Sequence, residues 1–369
     1  MAVPLLDLNT QNQAHAEALQ AAFGRVLGSS QYILGREVAD FEKAVAAELG
    51  APHCIGVSSG TDALVLALMA LGIGPGDEVL CPSYTFFATA GSISRLGAEP
   101  VFVDVHADSF NMDLADAAAK VSPRTKVILP VHLYGQSADM DAVMELADAR
   151  GLKVVEDCAQ AMGARWKGAQ VGTIGDFGTY SFFPTKNLGG FGDGGMLCAR
   201  DADLADHARI LRAHGSKPKY YHKHVGGNFR LDALQAALLG VKLGSLGTYI
   251  EQRRANAAHY LRQFAAADLG DNVLLPSEAE HCWHTWNQFT LRVQGGRRDD
   301  LREHLRARDI ASEIYYPLTL HQQECFQNLP GRPCPVSELL ARECLSIPIY
   351  PELTRALQDE VVAAVEDFF

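Results

Sequence analysis

The chain has 369 residues, long enough that one hydrophobic core is expected to give way to two lobes. A formal net charge of -12, with no Lys/Arg-rich block, excludes a broad nucleic-acid face, so a phosphate-bearing ligand would need a local cradle. The longest apolar runs, such as ALVLALMALG from Ala63, are too short to span a bilayer, and MAVPLLDLNTQNQ lacks the pattern of a secretion signal; a cytoplasmic protein without membrane contact is expected.

From residue 50 to 160, short apolar runs alternate with helical patterns. HCIGVSSG (53–60) reads as a strand ending in a small-residue turn, and TDALVLALMALGIG (61–74) as a helix with a glycine stop. DEVLCP (77–82), PVFVDV (100–105), KVILPV (126–131) and KVVED (153–157) read as continuous apolar strands separated by helical segments, among them TFFATAGSISRLG (85–97). Strands of this kind belong to a mostly parallel sheet covered on both faces, an α/β architecture with sites at the carboxyl ends of its strands. GTYSFF and GGMLCA then flank a glycine-rich loop with further strand-like runs.

A long amphipathic pattern follows from Leu231 to about Arg262, interrupted by Gly240, Gly244 and Gly247, which argue against one unbroken helix. Beyond it, WNQFTLRV and ASEIYYP read as strands, RDDLREHLRARD and LTRALQDEVVAAVEDFF as helices. The expected partition is a large sheet-bearing domain over 1–250 and a smaller C-terminal α+β domain over 251–369. The eight cysteines show no zinc-type spacing, and Cys54, Cys81 and Cys198, in or beside apolar strands, read as buried thiols. HCWHTW places two histidines three apart, but this stretch does not make up the ligand set a metal requires, so no metal is expected.

Four segments at strand ends or in loops carry candidate chemistry. In SSGTDAL, a helix beginning at Gly60 and Thr61 would direct free N–H groups at an anion; a plain helix cap is the alternative. In VVEDCAQA, Asp157 ends an apolar strand, where an ionised carboxylate needs a partner. The protonated nitrogen of a pyridinium ring is one such partner, and Gln160 could then reach the ring hydroxyl. In PSYTFFATA, Phe86 could lay its face on that ring, though core packing is the commoner fate of such a residue. In SFFPTKNLGGFGDGGM, Lys186 sits in a tight glycine-rich stretch; desolvation favours its neutral amine, which can form a Schiff base. Ser181 could place its hydroxyl on a phosphate, and the glycines would let backbone approach a planar ligand. Together these residues suit a pyridoxal phosphate site, whereas neither a P-loop nor a dinucleotide-binding GxGxxG motif is present.

With these motifs in this order, continuing to GGNFRLDALQAA and YYPLTLHQQ, the chain resembles the DegT/StrS-type nucleotide-sugar aminotransferases of the fold-type I pyridoxal phosphate enzymes along nearly its whole length. The resemblance makes Lys186 the cofactor-bearing and proton-moving residue, Asp157 the partner of the ring nitrogen and Gln160 the neighbour of the ring oxygen. Phe86 takes the stacking position, and Gly60, Thr61 and Ser181 the phosphate cradle. It implies that Asn228 reaches the cofactor phosphate of a neighbouring subunit, so that a homodimer shares its active sites. Arg230 either faces substrate or ties down the start of the long helix. Tyr315, Tyr316 and His321 are candidates on the substrate side, with small-lobe packing or a surface position as alternatives. The implied reaction moves the amine of L-glutamate to a keto group of a nucleotide-linked sugar. The YYP and PLTLH pattern points to C3; a 4-keto-sugar aminotransferase and a cofactor-binding regulator without turnover are the alternatives.

Overall fold

The computed structural model describes residues 2–267, 269–330 and 333–369. In chain order its first strands are β1 (His53–Val57), β2 (Glu78–Pro82), β3 (Glu99–Val103), β4 (Thr125–Ile128) and β5 (Lys153–Asp157). Two short strands, β6 (Arg165–Trp166) and β7 (Ala169–Gln170), precede β8 (Phe177–Ser181) and β9 (Gly195–Ala199). Seven of these form one sheet in the order β1-β9-β8-β5-β4-β2-β3. The run from β3 to β8 is parallel, and β9 is antiparallel to both its neighbours, β8 and β1. Every residue of β2 and β9 is buried, as continuous apolar strands between two helical layers require.

The helix Gly60–Ala70 has little polar surface to offer water; Ala63 to Leu68 and Ala70 are all buried. A helix apolar on all sides is stable only inside the protein, and this burial fixes its N-terminus at the end of β1. The long pattern after Leu231 forms two helices, Ala233–Leu243 and Leu246–Ala267, which meet at 59°. Between them Gly244 ends the first helix, and the Ser245 carbonyl accepts the Tyr249 N–H to begin the second. Among the described residues no single helix is long and apolar enough to cross a membrane.

The C-terminal part contains β10 (Val273–Leu274), β11 (Cys282–Trp283), β12 (Phe289–Val293) and β13 (Cys344–Ile347). β10, β12 and β13 form an antiparallel sheet, and β11 pairs with β6. Helix Leu246–Ala267 runs unbroken through residue 250. Ile250 packs in a core with Tyr180, Phe182 and Leu239, whereas Ala257, Tyr260 and Phe264 pack with Phe289, Leu345 and Val361. Val3 joins this second core, tied through Val3 N–H to the Asp309 carbonyl at 2.8 Å.

The segment 311–317 is not the strand its sequence suggests. Only an isolated bridge pairs Glu313 with Ser346, because the next carbonyl that a ladder would use is taken by side chains. The Tyr315 carbonyl accepts the hydroxyls of Tyr84 at 2.5 Å and Tyr134 at 2.8 Å. Cys54, Cys81 and Cys198 are buried.

Candidate active site

The carboxyl ends of β1, β5 and β8 converge on one region. After β1, Ser59 caps the helix Gly60–Ala70: its Oγ accepts the Asp62 N–H at 3.0 Å and its carbonyl accepts the Ala63 N–H. The N–H groups of Gly60 and Thr61 lie in the first turn, where a helix supplies no carbonyl partner, and the macrodipole there favours an anion. Ser181, the last residue of β8, faces Gly60 so closely that a methyl group on Gly60 would stand 2.8 Å from Ser181 Cβ. Gly195 closes the cradle from behind, since a methyl group there would lie 2.5 Å from the Ser59 carbonyl. Backbone N–H groups and a hydroxyl thus share a space that any β-carbon would fill.

Asp157 ends β5 and is 5% exposed. Its Oδ2 accepts the Thr89 hydroxyl at 3.0 Å, and its Oδ1 the Ala159 N–H at 3.1 Å. Burial raises its pKa above the usual carboxylate range, against the lowering effect of these hydrogen bonds and of the Lys186 charge. Gln160 is oriented by the Tyr134 N–H, which donates to its Oε1 at 2.8 Å. That leaves Nε2 as the free donor end, and it reaches the Tyr316 hydroxyl at 3.2 Å. Thr89, in the helix Ala88–Arg95, and Tyr134, in the 3-10 turn Leu133–Gly135, are distant in sequence from the residues they hold, which is why their spacing does not announce these roles.

Lys186 lies in the loop between β8 and β9, its N–H bonded to the Phe183 carbonyl at 2.9 Å. Desolvation pulls its amine down to about 8, partly offset by the Asp157 carboxylate. One of the glycines beyond it has a structural role within the loop itself. A methyl group on Gly189 would stand 2.0 Å from the Pro184 carbonyl oxygen, so this glycine allows the loop to fold on itself. Asn187, next to the lysine, donates to the Met162 carbonyl at 3.1 Å and accepts from Asn287 at 2.9 Å.

The remaining candidates divide. Phe86 is 59% exposed at the mouth of the site, its ring tilted by 41° to that of Tyr316 with centroids 6.3 Å apart. Tyr316 is held by Gln160 and stands edge-on to Tyr84, and burial raises its hydroxyl pKa. Tyr315 binds through its carbonyl to Tyr84 and Tyr134. His321 is neither a free surface residue nor aimed at this cluster by any hydrogen bond. Its Nδ1 meets Ser83 Oγ at 2.6 Å and its Nε2 meets Glu338 at 3.2 Å. Arg230 forms a bridge with Val57 and shares a cleft with Ser58, Ser59 and Asp193, beside the cradle. Asn228 is exposed, and nothing within the described residues brings its side chain to Asp157 or Lys186.

Beside Asp157, the fully buried Glu156 accepts from His132 Nε2 and from the N–H groups of Gly172, Ile174 and Gly175. His132 Nδ1 accepts the Ala138 N–H, which places the ring proton on Nε2. His132, Glu156 and Cys158 lie close enough to share an ion, yet these bonds already occupy the histidine and the carboxylate. The group braces the loop beneath β5. His284 of the HCWHTW stretch is buried, its Nδ1 accepting the Trp286 N–H at 2.9 Å.

An anion cradle with no room for a β-carbon, a buried carboxylate short of a cation and a desolvated amine, all at the ends of parallel strands, fit pyridoxal phosphate. The fold and this site define a fold-type I pyridoxal phosphate enzyme of the aminotransferase class. A family model, the DegT/DnrJ/EryC1/StrS aminotransferase family, matches residues 13–366, and the chain belongs to that family. It is 47% identical over 371 aligned positions to a pleiotropic regulatory protein of Geobacillus stearothermophilus, covering 100% of this chain and 99% of the relative. It is 45% identical over 352 positions to the UDP-N-acetyl-3-dehydro-alpha-D-glucosamine 3-aminotransferase of Acidithiobacillus ferrooxidans, covering 95% of this chain and 94% of the relative. Among solved structures, S. venezuelae DesV in complex with a ketimine intermediate is 44% identical with a TM-score of 0.95, covering 100% of this chain and 98% of that one.

Proposed function

We propose that this chain transfers the amine of L-glutamate to the C3 keto group of a nucleotide-linked sugar, working as a cytoplasmic homodimer. The observation that carries the reading is the buried Asp157 at the end of β5, whose carboxylate acts on the Lys186 amine, beside the cradle that Gly60 and Ser181 form at the neighbouring strand ends. The sugar and its C3 position are supported by the 45% identical relative, whose name specifies 3-amination of a UDP-sugar.

Pyridoxal phosphate, when bound, supplies an aldehyde that accepts the amine and a ring that draws electrons from the reacting carbon. Asp157 would hold the proton on the ring nitrogen, and Gln160 would donate from Nε2 to the ring oxygen. The N–H groups of Gly60 and Thr61, with Ser181 Oγ, would bind the phosphate, and Phe86 would cover the ring. Lys186, whose amine at about 8 reaches its neutral form far more easily than an ordinary lysine, would attack the aldehyde and afterwards carry the proton between the two carbons that exchange it. Asn228, solvent-exposed in its own chain, would complete the phosphate site of a partner subunit. Arg230, Tyr315, Tyr316 and His321 would border the sugar.

The name of the 47% identical relative favours a second reading, a regulator that binds the cofactor without turnover. One experiment separates them. The holoenzyme is mixed with L-glutamate and the visible spectrum followed, then UDP- or dTDP-linked 3-keto and 4-keto sugars are added and the aminated carbon is assigned by NMR. Conversion by glutamate, amination at C3 and loss of both in Lys186→Ala are expected. A cofactor band indifferent to glutamate would support the regulator, and amination at C4 would overturn the C3 assignment.

A further inference from the structure

We propose that one face of the helix Ala233–Leu243, formed by Gln235, Leu239 and Lys242, is the positioning element for Lys186, gripping the loop that follows it at Gly189, Gly190 and Phe191. The inference rests on the reading of Lys186 as the cofactor lysine. Residues at i, i+4 and i+7 lie on one side of a helix, so these three form a single stripe.

Each of them touches the loop. Lys242, 1% exposed, donates from Nζ to the Gly189 carbonyl at 2.7 Å and lies 5.6 Å from the centre of the Phe191 ring. Leu239, fully buried, has Cδ2 3.6 Å from where a methyl group on Gly190 would stand. Gln235 accepts the Phe191 N–H through Oε1 at 2.9 Å, and its Nε2 lies 3.1 Å from the β-position of Gly192. From the opposite side the loop is closed by its own backbone, with Gly190 N–H on the Phe182 carbonyl at 2.8 Å.

A buried ammonium is an expensive residue for mere packing, since desolvation works against its charge. Here it pulls the Lys242 amine down to about 8, opposed by the Glu352 carboxylate. What the charge provides is a strong, directional bond to a carbonyl in a run that has no side chains of its own to anchor it. Without the stripe, Gly189 and Gly190 would be free to vary in backbone conformation, and the lysine three residues earlier would lose its fixed distance from Asp157. Lys242 and Gln235 reach the amine only through the loop, so they are positioning residues and not catalytic ones.

The test compares wild type with Lys242→Met, Lys242→Arg and the uncharged Gln235→Leu. Amide hydrogen exchange at residues 187–192 is measured on the cofactor-free protein, and the pH midpoint of pyridoxal phosphate capture is then followed by absorbance. Asp157 is the charged group acting on Lys186, and all these variants keep it. Expected are exchange at least tenfold faster in this loop for Lys242→Met and Gln235→Leu, a capture midpoint displaced upward in both, and restoration toward wild type in Lys242→Arg. Because Gln235→Leu removes no charge, its shift reports position alone. If Lys242→Met does not fold, Gln235→Leu decides. Unchanged exchange in the loop together with an unchanged midpoint, even with lower thermal stability, would overturn the proposal. A wild-type protein that captured no pyridoxal phosphate would defeat the functional reading instead, and the exchange measurement would still judge the grip.

Discussion

The amine of Lys186 titrates low because water is removed from around it and Asp157 restores only part of the lost stabilisation. Only the neutral amine attacks an aldehyde, so capture of pyridoxal phosphate by the cofactor-free protein is expected to accelerate as pH rises through about 8 and to level off above it. Stopped-flow absorbance across a pH series measures this; a midpoint near an ordinary lysine value would contradict it. Asp157 has the opposite problem, since burial favours its protonated form while Thr89 and Ala159 favour the ionised one. Thr89→Val removes one donor to the charged oxygen, a loss of about 1.5–3 kcal/mol. It should weaken cofactor binding by roughly tenfold or more, since about 1.4 kcal/mol corresponds to each factor of ten. Equilibrium titration of the cofactor-free variant gives that number directly. The pair Asp157 and Lys186 could be picked out from sequence because each breaks a local rule, a carboxylate closing an apolar strand and a cation in a tight glycine stretch. Thr89, Tyr134 and Asn287 could not, because what matters about them is whom they meet.

At the level of elements, the strands declared themselves best. KVVED marks β5 over the bounds it has in the structure, since uninterrupted Val and a charged residue at each end leave little choice. The helix pattern after Leu231 was legible as helical and broken, with its glycines as the signal. The segment 311–317 misled because β-branched and aromatic residues suit a strand, while the hydroxyls of Tyr84 and Tyr134 capture the Tyr315 carbonyl. The glycines were legible as important but not in what they do. Gly195→Ala would drive a methyl group against the Ser59 backbone and should cost about 1–3 kcal/mol of stability, with weaker cofactor binding as the cradle opens. Gly240 lies exposed in the helix Ala233–Leu243 with nothing within 4 Å of its β-position. Gly240→Ala is therefore expected to add about 0.5–1 kcal/mol. Chemical denaturation of both variants distinguishes a packed glycine from a merely tolerated one.

On the scale of the whole molecule, the site as described within one chain lacks its expected Asn228 contact, and that residue lies on a surface with the exposed Tyr220, Tyr221 and Val225. Phe23, Leu27 and Ile33 are exposed as well. If subunits share sites, Lys186→Ala and Asn228→Ala should each be inactive alone, yet regain activity when unfolded and refolded together, since a mixed dimer holds one intact site. Activity assays of the separate and co-refolded variants decide this, and no recovery on mixing would point to self-contained subunits. Gly195 brings a different matter to light. It pairs with Val57 on one side and with Ser181 on the other, so both ends of the segment 182–194 are pinned in register. Adding or removing one residue there would either bulge the segment or turn the wholly buried β9 over, exchanging its faces. The segment therefore leaves and re-enters the sheet at one point, so that a residue gained or lost within it, if the strands keep their register, is taken up entirely by the loop that bears Lys186 and displaces the amine instead of the scaffold.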